Sequence, residues 1–186
     1  STIALGMVRE VLEVPIVGTV PAIKPAASLT RSGVIGLLGT QATIRQSYVD
    51  RLEAEFAKGK LLLRHAAPGL VEAAEAKLHG KPFDPAAITS AVEGLLSRPG
   101  GANIDTVVLA CTHFPLLEAE LGHAFGNDVQ FVHGATGIAQ QIARLLQGQS
   151  FQRITPDYAL MTEMPDNAAT IKATLKRFGL ADIRRF

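Results

Sequence analysis

Tryptophan is absent from the 186 residues, cysteine occurs once and tyrosine twice. A single cysteine cannot close an internal disulfide, so a disulfide-stapled fold is excluded and a reducing compartment fits best. Long apolar runs are missing too. A stretch such as Val107-Val-Leu-Ala-Cys111 falls far short of the ~20 residues that a membrane-spanning helix needs. Charge of one sign is scarce: 18 Lys plus Arg stand against 17 Asp plus Glu, leaving +1. Lys172, Lys176, Arg177, Arg184 and Arg185 crowd the C-terminal end, where they read as a solvated helix face. No basic surface wide enough for nucleic acid is therefore expected. No leader of charged, apolar and cleavage-site residues opens the chain, which points to the cytoplasm.

What is present is the content of a globular chain: 47% hydrophobic and 19% charged residues, enough to bury one large core or two small ones. Residues 1–12 carry Ile3, Leu5, Met7, Val8, Val11 and Leu12 at broadly helical spacing. No capping residue marks where this helix starts. Residues 14–20, β-branched and bounded by Pro15 and Pro21, read as a buried strand, and Pro21 and Pro25 bracket a short alanine-rich helix. From there the alternation is regular. Strands are expected at 34–38, 61–63, 104–109, 129–132 and 158–161, and helices at 40–57, 69–78, 85–96, 116–125, 136–146 and 167–178. In the helix over 40–57, Ile44, Tyr48, Leu52 and Phe56 recur every fourth residue. Asp84 is expected to cap the helix over 85–96, with Pro85 at its first position. Strands separated by long helices imply parallel pairing through crossovers, an α/β architecture with both sheet faces covered.

In open α/β sheets the functional groups gather just after the strands. Cys111-Thr112-His113 stands in such a place, before Phe114-Pro115. A thiol at a strand tip facing a helix start lies where its thiolate is favoured, and a nearby imidazole can take or return the proton. The plainer reading, a small buried hydrophobe, also stands. Thr40 and Thr43 follow the strand over 34–38, where hydroxyls and free N–H groups suit a carboxylate or phosphate, or simply cap the helix. Glu72 and Glu75 lie three apart on the helix over 69–78, where carboxylates are commonly solvated. After the strand over 129–132 come His133, Gly134 and Thr136, the last expected to cap. Gly33, Gly36 and Gly39 recur every third residue, which is not dinucleotide spacing, and no Gly-x-Ser-x-Gly elbow or phosphate-cradling loop occurs. His65, His79 and His123 show no spacing that would complete a metal site with Cys111 and His113.

Longer segments carry a resemblance. Val17-Gly-Thr-Val-Pro-Ala-Ile-Lys-Pro-Ala-Ala27, Gly36-Leu-Leu-Gly-Thr40 with Thr43, Pro68-Gly-Leu-Val71 through Glu75, and Val108-Leu-Ala-Cys-Thr-His-Phe-Pro-Leu-Leu117 together resemble the glutamate racemases over essentially the whole chain. The resemblance implies a two-domain, parallel-sheet fold and a cofactor-independent isomerase, without a metal, serving bacterial peptidoglycan synthesis and cell shape. Removing an amino-acid α-proton without pyridoxal phosphate demands a thiolate close to the carbon and donors for the developing charge. Inversion demands an acid on the opposite face as well. By matching position, Cys111 is one of two catalytic thiols and His113 its catalytic assistant, while Thr40, Thr43, Thr112 and Glu75 bind substrate.

The resemblance further implies that residues 24–134 form a complete α/β domain carrying Cys111, with 1–23 and 135–186 the remains of the other. The family's first thiol sits in a Cys-Asn-Thr-Ala-Ser segment whose last residue matches Ser1. The expectation is a first domain truncated at its N-terminus, in a fragment or shortened product that is inactive alone. His133 stands where the family tends to have Asp, and Ala67 where many members have Cys. Glutamate is the expected small-molecule partner, with a homodimer compatible and neither nucleic acid nor membrane involved. Two other readings remain: a one-thiol relative such as an arylmalonate decarboxylase, and a non-catalytic chain acting as a binding partner.

Overall fold

The structure, a computed structural model, describes residues 5–126 and 128–186. Its central element is Val34–Gly39 (β1), buried at every position, as a strand must be when helices cover both faces of a parallel sheet. Leu61–Ala66 (β2) pairs with it on one side and Thr106–Leu109 (β3) on the other. Gln130–Val132 (β4) adds beyond β3, giving the order β2-β1-β3-β4 with every pair parallel. Parallel neighbours need crossovers, and the helices supply them. In chain order the helices are Leu5–Val11 (α1), Ile23–Leu29 (α2), Gln41–Ile44 (α3), Ser47–Phe56 (α4), Gly69–Leu78 (α5), Ala86–Leu96 (α6), Glu118–Phe125 (α7), Ala135–Leu145 (α8) and Ala168–Lys176 (α9), with α3 to α7 lying between strands of the main sheet. Tyr158–Met161 (β5) and Asp182–Arg185 (β6) form a second parallel pair, joined through α9. Among the described residues, no helix is long and apolar enough to cross a membrane.

Alternation along the strands divides the core in two. Val34, Leu38, Leu63, Val107 and Leu109 meet Leu70 of α5, Leu95 of α6 and Leu121 of α7 on one face. Ile35, Leu37, Leu62 and Val108 meet Ile23 and Ala26 of α2 and Val49 of α4 on the other. Gly36 shows how closely α6 lies on β1. A Cβ there would sit 2.8 Å from Leu95 Cδ1 and 3.2 Å from Val107 Cγ2. At the amino end of the sheet Asp105 binds the loop before β1 to the start of β3. It accepts the N–H groups of Arg31 and Ser32, each at 2.7 Å, and the hydroxyls of Thr30 at 2.6 Å and Thr106 at 3.0 Å.

Several elements differ from the sequence expectation. Residues 14–20 form no strand; Pro15 and Pro21 lack the N–H that a ladder needs, and none of the described strands pairs with the segment. Pro25 lies inside α2, in the first turn, where its missing N–H has no helical partner to lose. The helix expected over 40–57 is two, α3 and α4, separated at Arg45 and Gln46, because Gln46 is extended and α4 starts afresh from it. The helix expected from residue 116 is preceded by a 3-10 turn, Phe114–Leu117, before α7 begins. β6, rich in charge, is a strand that the hydrophobic pattern does not predict. Residues 1–4 of the expected first helix lie outside the described residues.

Candidate active site

A sheet whose strand order reverses leaves a crevice at the carboxyl ends of the strands flanking the reversal. In this sheet those strands are β1 and β3. Ala110 N–H donates to Leu38 O at 2.8 Å, so the chain leaves both strands side by side. Two of the sequence candidates thereby meet. The segment after β1 delivers Thr40 and Thr43, and the segment after β3 delivers Cys111, Thr112 and His113. Between them lies a cleft of about 290 Å³ whose walls include Cys111, Thr112, Thr43, Tyr48 and His133.

Cys111 is held at the cleft by the turn on its C-terminal side. Phe114 N–H donates to Cys111 O at 3.1 Å, opening the 3-10 turn. Phe114 itself is fully buried against the face covered by α5, α6 and α7. This anchor bends the chain sharply and brings the ring of His113 back toward the thiol, with His113 Nδ1 3.7 Å from Cys111 Sγ. The far nitrogen, Nε2, lies 2.7 Å from Glu75 Oε1 on α5. A carboxylate only accepts, so this contact places the proton of a neutral His113 on Nε2 and leaves Nδ1 as an acceptor facing the thiol. Thiol, imidazole and carboxylate thus form one chain of hydrogen-bonding groups, in the same order of roles as a nucleophile, base and orienting acid.

The remaining candidates sort by position. Thr40 caps α3, its hydroxyl accepting from Thr43 N–H at 3.2 Å and standing 3.0 Å from Thr43 Oγ1. Thr43 is the member of the pair that borders the cleft, and Thr112, exposed, borders it from the other side. Glu75 reaches the site through His113, whereas Glu72 is exposed on α5. Thr136 does not cap α8; the helix begins at Ala135 with no side-chain cap from its N-terminal residue, and Ala135 N–H instead points to His133 Nδ1 at 3.4 Å. His133 Nε2 lies 3.8 Å from Glu118 Oε2. The four-residue repeat puts Tyr48 on a core face alone. The break between α3 and α4 lets it serve twice, packing against the core and lining the cleft. Among the described residues no group of three His, Cys, Asp or Glu side chains could hold a metal. His65, away from the cleft, is pulled below its ordinary value by burial and by Arg98.

The sequence profile of the Asp/Glu/Hydantoin racemase family matches residues 1–142. A glutamate racemase of Sphingopyxis alaskensis is 55% identical over 184 residues, covering 98% of this chain and 69% of that protein. One of Pectobacterium carotovorum is 38% identical, covering 100% of this chain and 65% of its relative. Among solved structures, Escherichia coli glutamate racemase in complex with L-glutamate and the activator UDP-MurNAc-Ala superposes with a TM-score of 0.88. The two are 36% identical, with 100% of this chain and 70% of that one covered. Glutamate racemase isoform RacE1 of Bacillus anthracis gives 0.78 at 25% identity, with 98% and 68% covered. The chain spans about two thirds of the length of these relatives.

Proposed function

The chain belongs to the Asp/Glu/Hydantoin racemase family, and from that premise we propose that it carries one catalytic half of a cofactor-independent glutamate racemase. The observation that supports this most is the run Cys111 to His113 to Glu75, at 3.7 and 2.7 Å. Cys111 acts as the acid or base on one face of the substrate α-carbon. His113 Nδ1 takes the thiol proton, and Glu75 holds the resulting imidazolium through Nε2. The thiolate then removes the α-proton, leaving a carbanion whose charge spreads into the α-carboxylate. Thr43 and Thr112 offer hydroxyl and backbone donors to that carboxylate, with Thr40 fixing Thr43. Donors already in place at the developing charge are what make so weak a carbon acid accessible.

Inversion is complete when an acid on the other face returns a proton to the carbanion. Cys111 is the one cysteine of the chain, so this second thiol is not among its 186 residues. Residues 24–134 form the unit that carries Cys111, and 1–23 with 135–186 belong to a second unit. In support, the four-stranded sheet and nearly all buried apolar residues fall between Ala22 and Val132. The product, D-glutamate, serves peptidoglycan synthesis and so cell shape, in the cytoplasm.

Loss of the α-proton signal of glutamate in D2O, followed by NMR with the 186-residue chain, tests the half-reaction. Exchange of one enantiomer with no racemisation, the sense in which the chain is inactive alone, is expected, with loss of that exchange in Cys111→Ala. Equal exchange by the variant, or none by the parent chain, overturns the assignment.

A further inference from the structure

Glu75 has a second oxygen, and it faces a second histidine. His79 lies one helical turn further along α5, with Nε2 3.6 Å from Glu75 Oε2. The other nitrogen of His79, Nδ1, is 3.1 Å from Asn167 Oδ1, at the start of α9. The orientation of that amide is set independently, because Asn167 Nδ2 donates to His79 O at 3.0 Å. Its oxygen is therefore the atom presented to Nδ1, and Nδ1 must donate. A neutral His79 has then spent its one N–H on Asn167 and turns a bare lone pair on Nε2 toward the carboxylate. A proton on Nε2 would turn the 3.6 Å contact with Oε2 into an ion pair, whereas a neutral His79 held by Asn167 offers Glu75 no donor.

We propose that His79 is a positioning residue for the Cys111, His113 and Glu75 chain, and that Asn167 of α9 fixes its tautomer, so that the C-terminal β5-α9-β6 unit sets how strongly Glu75 draws the proton of His113. This rests on the reading of those three residues given above. When Nε2 of His79 carries a proton, Glu75 divides its charge between two imidazoles. Without it, the whole carboxylate serves His113 and favours imidazolium with thiolate. The other charged groups at this corner are paired elsewhere: Lys77 of α5 with Glu120 of α7, and Lys172 of α9 with Asp182 of β6. The junction is close as well as polar. Thr174 Oγ1 reaches Leu78 O at 3.4 Å, and Gly80, at φ +67°, leaves space that a Cβ would take 2.8 Å from Thr170 Cγ2.

The lone thiol makes the proposal measurable without substrate, since iodoacetamide reports Cys111 alone. The rate of its alkylation is followed against pH in the 186-residue chain and in variants whose folding is checked by circular dichroism. His79→Ala is expected to move the midpoint down by roughly half a pH unit, about threefold in rate below the midpoint, a modest effect because Glu75 is well exposed to screening water. Asn167→Ala moves it the other way, because a neutral His79 freed from Asn167 can place its one N–H on Nε2 toward Glu75, and His79→Gln serves if the alanine variant does not fold. Thr174→Val, which removes the hydroxyl contacts with Leu78 O and with Thr170 O inside α9, lowers the melting temperature and leaves the midpoint in place. Glu75→Gln moves the midpoint up. If Glu75→Gln and His113→Asn leave the midpoint unmoved, the thiol, imidazole and carboxylate reading itself falls. If they move it while His79→Ala, His79→Gln and Asn167→Ala do not, or if Thr174→Val moves it as far as they do, the positioning role of His79 is overturned and the reading survives.

Discussion

Replacing Asp105 by Asn probes how the sheet is held at the end opposite the cleft. Its carboxylate accepts two backbone N–H groups at 2.7 Å and two hydroxyls at 2.6 and 3.0 Å. An amide of the same shape keeps an oxygen for the hydroxyls but turns an NH2 group toward Arg31 N–H and Ser32 N–H. Two charge-assisted bonds are lost and donors face donors. At ~1.5–3 kcal/mol for a hydrogen bond to a charged group, reduced because the loop can take up water instead, a loss of about 2–3 kcal/mol at pH 7 follows. For a chain of this size that is roughly 5–10 °C in Tm. The chain has no tryptophan, so urea unfolding is read by far-ultraviolet circular dichroism. The pH dependence gives a second, independent check. Burial acts to raise this carboxyl, but bonds from Thr30, Ser32, Arg31 and Thr106 outweigh it and hold the group far below its ordinary 3.8. A carboxyl depressed on folding contributes in full above its unfolded value and loses that contribution as pH falls toward the folded one. The gap between parent and variant is thus constant from about pH 7 to 5 and narrows below about 3.8. A gap under about 0.5 kcal/mol at pH 7, or one that stays constant to the lowest pH at which both fold, refutes the reasoning. Cys111 alkylation is expected to be unchanged, since six residues of extended chain put Asp105 ~20 Å from the thiol.

Three further outcomes are expected. Gly36→Ala pushes a methyl group into Leu95 Cδ1 at 2.8 Å and should cost about 1–3 kcal/mol in urea unfolding; a neutral result means that α6 is free to shift. Phe114→Ala empties a fully buried site and is expected to cost ~3–5 kcal/mol, and the same variant should slow Cys111 alkylation at pH 7 because the turn that returns His113 to the thiol loses its anchor. Thr43→Val removes a cleft hydroxyl while keeping its volume, so the glutamate concentration giving half-protection of Cys111 from alkylation should rise about tenfold, with unchanged protection counting against a substrate role.

The parts of the fold legible in the sequence are those where burial overrides local detail. β1 is apolar throughout and β3 apolar after Thr106 because both faces are covered, and the crossover helices between them announce themselves by length. The segment at 14–20 carries the same β-branched composition without forming a strand, since composition does not reveal whether a partner strand lies alongside. β6 is hidden for the opposite reason: Asp-Ile-Arg-Arg reads as a solvated tail, yet Ile183 pairs with Ala159 of β5. The site divides in the same way. Cys111, Thr112 and His113 are contiguous, and position after a strand is enough to single them out. Glu75 enters through a contact 38 residues away, and Asn167 through one 88 residues from His79, distances that only the folded packing of α5 on the 3-10 turn after His113 and beside α9 closes. Tyr48 is obscured by a helix break that no proline or glycine marks.

The clasp between His79 and Asn167 also has a meaning in time. A chain made from its N-terminus releases all four strands of the main sheet before Asn167 exists. At ~5–20 residues per second, the sheet and its thiol wait several seconds for α9. An interrupted product ending before residue 167 would therefore hold Cys111, His113 and Glu75 in place with His79 still free to choose its tautomer. On the proposed role of His79, it is the arrival of α9, rather than formation of the sheet, that sets the reactivity of the thiol.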